Sequence, residues 1–137
     1  MNTVQIVAPN NVYHVWEDIK EYLNASINVS GEDFTLDQLK LLLVRGEQSL
    51  LVSVNESNKI NGAMTAEFIN SPNARIMFIT AVGGSEIVND KTFSQVEAWA
   101  KMQGATKVSA YAHDSQARLY KIKLGLEKVT NVVEKDL

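Results

Sequence analysis

The sequence predicts a mixed α/β (α+β) chain built on a central sheet, and three observations carry that expectation. Short runs of strand formers alternate with segments whose apolar residues recur at helical spacing. One run, 75–82, is almost wholly apolar, as a strand covered on both faces is. Glycine, proline and polar clusters separate these segments, and no Pro/Gly/Ser-rich linker or internal repeat divides the chain. A single domain over 1–137 is therefore expected, a length that suits one packed core.

Taken in order, residues 4–7 read as a short strand that ends at Pro9-Asn10. Asn10 or Asn11 can cap a first helix, in which Val12, Val15, Trp16, Ile19, Tyr22 and Leu23 form one apolar face. Residues 30–33 are a loop. Thr35-Leu36-Asp37-Gln38 is a capping box, because hydroxyl and amide can satisfy each other's backbone donors. It opens a second helix carrying Leu36, Leu39, Leu42 and Leu43, which Gly46 stops. Residues 49–54 and 60–70 are strands joined by a polar turn, with Met64, Ala66 and Phe68 on one face of the second. After the apolar strand at 75–82 comes Gly83-Gly84. A helix follows, capped by Asn89 or Asp90, with Phe93, Val96, Trp99 and Ala100 on or near its buried side. Residues 106–112 make a strand, 115–123 a helix ended by Gly125, and 128–133 a last strand. The order is β-α-α-β-β-β-α-β-α-β.

Composition narrows the function. A 45% hydrophobic and 21% charged content belongs to a globular protein rather than a disordered one. The net charge of −3 gives no general attraction to nucleic acid or to an anionic membrane. With no cysteine, a disulfide framework, a thiolate metal site and a cysteine nucleophile are all excluded. The start of the chain has no basic region leading into an apolar stretch, so no signal peptide is expected. His14 and His113 lie far apart without paired acidic or histidine spacing, so no metal site is expected. Trp16 and Trp99 are core or interface residues by their positions. Glu67 sits on the strand before the apolar one, and its bland reading is a carboxylate on a solvated face. His113 ends a strand, where exposure is the ordinary outcome. Arg118, Lys121 and Lys123, with Lys101 and Lys107, can form a small basic edge for a nucleotide phosphate or an acidic partner.

The stretch Asp114-Ser115-Gln116-Ala117-Arg118-Leu119-Tyr120-Lys121-Ile122-Lys123-Leu124-Gly125-Leu126 resembles a segment of the GNAT (Gcn5-related N-acetyltransferase) superfamily. There Asn-x-x-Ala precedes an aliphatic-Tyr helix that ends in Leu-Gly-Phe. With the element order, the resemblance extends over essentially the whole chain. It implies acetyl-CoA as cofactor and acetyl transfer to the amine of a small molecule or a protein. Ala117 matches the family's Ala, Asp114 replaces its Asn, and Lys121 stands where the acid Tyr is expected. Tyr120 lies one residue early, and one residue turns a side chain by about 100° around a helix. The resemblance further implies that backbone amides of Thr80, Ala81 and Val82 polarise the acetyl carbonyl. Gly83, Gly84, Lys91, Asp114 and Ala117 would flank the cofactor, Glu67 or His113 would relay the amine proton, and Tyr120 would protonate the thiolate.

The family's pyrophosphate loop, Arg/Gln-x-x-Gly-x-Gly/Ala, is replaced here by Gly83-Gly84-Ser85-Glu86-Ile87-Val88-Asn89-Asp90-Lys91-Thr92. The glycines come early, and Glu86 and Asp90 place carboxylates where the ligand is an anion. Cofactor binding of the usual kind is therefore expected to be weakened or lost. Gly83-Gly84, Ala98-Trp99-Ala100-Lys101, Gly104-Ala105 and Val133-Glu134-Lys135-Asp136-Leu137 together resemble short GNAT-like proteins of tailed phages. That likeness implies a catalytically degenerate acyltransferase, in the cytoplasm of a host. Its alternative is a non-catalytic virion, assembly or host-binding module on the same fold. A homo-oligomer stays open in either case.

Overall fold

A computed structural model describes residues 2–30, 34–112, 118, 120–121, 124–129 and 133–137. Strand β1 (Thr3–Val7) leads through a single 3-10 turn at Pro9–Asn11 into helix α1 (Val12–Ser30). Helix α2 (Leu36–Val44) follows, then strands β2 (Ser49–Val54), β3 (Ile60–Ser71) and β4 (Ala74–Gly83). A 3-10 turn at Ser85–Ile87 precedes helix α3 (Asp90–Met102) and strand β5 (Lys107–Ala110).

The five strands form one sheet in sequence order. The first four pair antiparallel, and β5 joins β4 in parallel after the α3 crossover. The sheet separates two apolar layers. Val12, Trp16, Ile19 and Leu23 of α1 and Leu39 and Leu43 of α2 pack on Leu50, Val52, Ala63 and Ala81. On the other face Phe93, Val96 and Ala100 of α3 pack on Leu51, Met64, Ala66, Met77 and Ile79. Alternate residues of β2 thus serve opposite layers, which is what a two-residue side-chain period requires. The buried stripe of α1 is the one its spacing predicts, with Val15 and Tyr22 at its half-buried margin.

Local signals set the helix starts. Thr35 accepts from the Gln38 amide at 3.2 Å, and the Gln38 side chain takes the Thr35 amide at 2.9 Å, closing the capping box. Asn89 caps α3 by accepting from Lys91 and Thr92 at 3.1 and 3.0 Å. Two expectations need correction. β5 ends at Ala110, so Tyr111 and Ala112 are not in the strand. Of the last strand expected at 128–133, Lys128, Val129 and Val133 are not in a strand, and 130–132 lie outside the described residues. Val129 and Val133 are almost fully exposed, so their strand propensity is not matched by any packed face. Arg118, Tyr120, Lys121 and Leu124 are helical, as expected of the segment they belong to.

Candidate active site

The centre of the molecule is shaped by one extra residue in β4. Thr65 pairs with Ala81 while Ala66 pairs with Ile79, so Thr80 has no partner in β3 and forms a β-bulge. The bulge turns Thr80 into the α1/α2 side, where its hydroxyl donates to Gln48 Oε1 at 2.6 Å. That leaves the Thr65 hydroxyl to donate to Thr80 Oγ1 at 2.7 Å. All three side chains are buried, so the chain of bonds fixes the bulge from the core.

The same point marks the end of pairing on the other edge. The last β4–β5 pair is Ile79 with Ala110, and Thr80, Ala81, Val82 and Gly83 continue without β5. From there the β4 edge away from β3 has no paired strand among the described residues. The end of β5 coincides with the bulge in its neighbour, a feature that bends a strand and interrupts its ladder.

Helix α1 crosses this end of β4. The Val82 amide donates to Ser26 Oγ at 3.0 Å, a contact between residues 56 apart in sequence. Beside it, a Cβ on Gly83 would stand 2.0 Å from the carbonyl oxygen of Tyr22. Gly83 is therefore required by the approach of α1. Gly84 has φ 88, and a Cβ there would meet the Asn61 carbonyl oxygen at 2.6 Å. Both glycines serve close backbone packing.

Beyond Gly84 the chain reaches a 560 Å³ cleft lined by Asn2, Glu86, Asn89, Asp90, Lys91 and Thr92. This is the position of a pyrophosphate in the expected arrangement, and its chemistry does not fit one. The Lys91 and Thr92 amides, which point at an anion when a helix start binds phosphate, are taken by the Asn89 side chain. The Phe93 amide goes to the Asn89 carbonyl. Glu86 stays in place through a 2.6 Å bond from Asn2 Nδ2, and Asn2 in turn accepts from Asn61 Nδ2 at 2.9 Å. Lys91 brings the cleft's cation, against two carboxylates.

The remaining candidates divide by location. Glu67 is half-buried, directly across from Phe78 and one pair short of the bulge. Its neighbour Phe78 packs edge-on against Tyr111 at 4.8 Å between ring centres, so one wall of this region is aromatic. Tyr120 is half-buried and Lys121 exposed. Leu124, one helical turn beyond Tyr120, packs against the α3-side core, so Tyr120 shares the inward side of its segment. Burial raises the Tyr120 hydroxyl pKa above its ordinary 10.0, favouring the neutral, proton-bearing form. His113, Asp114 and Ala117 lie outside the described residues. Trp16 is in the core, and half-buried Trp99 packs on Phe68 at 5.5 Å. Among the described residues no three His, Asp or Glu side chains gather as a metal site requires.

Ser26 and Gln48 are the residues of this region that sequence reasoning missed. Ser26 follows Tyr22 by four positions, which continues the apolar stripe of α1; a serine on an otherwise buried stripe is the signal that points to it. Gln48 carries no such signal.

Comparison with solved structures places this architecture. The chain is similar to the aminoglycoside acetyltransferase meta-AAC0020 from an uncultured soil metagenomic sample, solved with sisomicin. The TM-score is 0.69 at 14% identity, over 99% of this chain and 96% of that one. It is similar also to the aminoglycoside 6'-N-acetyltransferase AAC(6')-Ih of Acinetobacter baumannii, at TM-score 0.64 and 16% identity, over 100% and 98% of the two chains. An acetyltransferase of Trypanosoma brucei gives 0.61 and 11%, with both chains covered in full. At these identities the likeness is one of fold, and the fold is GNAT-like. No protein-family model matches the chain, and no curated protein matches it in sequence.

Proposed function

We propose that this chain is an N-acyltransferase-type protein that receives the acyl arm of a thioester at the edge of β4 past its last β5 pair. It holds the nucleotide end of coenzyme A poorly, so acetyl transfer is slow or lost. The observation that carries this reading is the coincidence of the Thr80 bulge with the end of β4–β5 pairing at Ile79 and Ala110. A strand edge that no further strand covers suits an extended pantetheine arm, whose own amides need backbone partners, once the Val82 amide is released from Ser26. The acceptor is an amine, and the small-molecule aminoglycosides of two similar structures support a small one.

In the reaction the amine nitrogen attacks the thioester carbonyl and the carbon–sulfur bond breaks. Glu67 or His113 takes the amine proton, and the Tyr120 hydroxyl supplies one to the departing thiolate. The half-buried phenol suits that task because it stays protonated at neutral pH. Calorimetry with acetyl-CoA, followed by mass spectrometry of amine panels, tests the proposal. It predicts weak binding and slow acetylation; no heat at millimolar acetyl-CoA sinks it.

The second reading is a non-catalytic binding module on the same fold, of phage virion, assembly or host-directed type. The capped amides and acidic lining at the start of α3 favour it, because they remove the usual hold on the nucleotide. Recovery of the protein in purified phage particles, with no acetyl transfer, supports it. Measurable acetyl transfer by protein that is absent from particles counts against it.

A further inference from the structure

The geometry points to Ser26 as a plug seated where the thioester carbonyl has to bind, so that acyl-thioester entry requires this side chain to leave the Val82 amide. The inference rests on the acyltransferase reading and specifies what governs its site. Three observations combine. Val82 lies in the part of β4 past the last β5 pair, and its amide is donated to Ser26 Oγ at 3.0 Å rather than to a neighbouring strand. Helix α1 is locked over the same point, because Gly83 lets the Tyr22 carbonyl come so near that no side chain fits between them. The bulge beneath is fixed by buried Thr65, Thr80 and Gln48, so the amide itself cannot turn to find another acceptor.

A carbonyl oxygen and a serine oxygen are equivalent acceptors for one N–H, so only one of them occupies the seat at a time. The backbone on both sides is held, whereas a serine changes χ1 without moving its helix. Ser26 is thus the movable part, and the competition lowers thioester affinity by the worth of one neutral hydrogen bond. Removing it should tighten binding by about two- to tenfold. Ser26 is a positioning residue in this account, since it acts by holding or releasing the Val82 amide.

The test titrates acetyl-CoA into the wild-type chain, Ser26→Ala and Ser26→Thr, by calorimetry and by amide-resolved NMR. Ser26→Ala should bind more tightly than wild type, while Ser26→Thr, which keeps the acceptor oxygen, should stay near wild type. The Val82 amide resonance should shift on Ser26→Ala substitution alone and again at saturation with ligand. Binding by wild type that is unchanged or weakened in Ser26→Ala overturns the plug. So does a Val82 amide that does not respond to saturating ligand, and both results leave the acyltransferase reading standing. Absence of binding in all three chains overturns the plug and that reading together.

Discussion

One methyl group at position 83 would place a carbon 2.0 Å from the carbonyl oxygen of Tyr22, closer than any non-bonded pair tolerates. Because that oxygen belongs to a packed helix, α1 has to shift off β4. Gly83→Ala should destabilise the protein by about 3 kcal/mol, the upper range for overpacking, measured by urea denaturation. If Gly83 were only a flexible connector, the same change would be neutral or slightly stabilising. The bulge gives a second test at this scale. Thr80→Val strands the buried oxygens of Gln48 and Thr65, and should cost about 1–3 kcal/mol. A Thr65→Val/Thr80→Val pair should lose less than the two single changes summed, since it removes two members of one chain of bonds. Neither residue advertises this from sequence. Threonine in a strand is ordinary, and the network joins positions 32 and 15 apart that only the folded sheet brings together. Ser26 was half-visible, as a polar residue on the buried stripe of α1, yet its partner lies in another element.

The elements whose signals are local are those that sequence reading located best. The Thr35–Gln38 box and the Asn89 cap are decided within four residues, and both appear as expected. The two-sided apolar run of β4 was equally plain, because both layers press on it. The end of β5 was not, because it coincides with a bulge in the strand beside it. For α3, Asn89→Ala should lower stability by about 1 kcal/mol through loss of the cap, read from thermal unfolding. It also frees the Lys91 and Thr92 amides, so inorganic pyrophosphate should bind the variant no more weakly than wild type. For the segment carrying Tyr120, the raised pKa fixes the sign of a pH effect. Burial favours the neutral phenol, so its contribution to stability is complete below pH 10 and is lost as pH rises through the folded-state pKa. Tyr120→Phe should flatten the alkaline loss of stability seen by circular dichroism while leaving neutral-pH stability close to wild type. In the acetylation assay the same variant should lower kcat by about 10²-fold, the usual scale of general-acid catalysis, with KM little changed.

At the scale of the whole molecule, the sheet carries two regions that the expected cofactor would span. At one, past Ile79 and Ala110, the edge of β4 continues without a paired strand, where the proposal seats the acyl arm. At the other, the start of α3, the amides are capped and Glu86 and Asp90 line the cleft. The sequence already displayed the acids and the early glycines of this region. What it did not display is the use of Gly83 for helix packing, which depends on how closely α1 crosses β4. In the proposed function the acyl arm, and not the nucleotide, supplies the binding. Calorimetric titration of acetyl-CoA against acetyl-pantetheine, on the same wild-type protein, tests this most directly. Deleting the nucleotide should change the dissociation constant by less than about tenfold, since no phosphate contact is lost. Binding of acetyl-CoA about 10³-fold tighter than acetyl-pantetheine would mean that the cleft at α3 grips the pyrophosphate, and would overturn this division of binding.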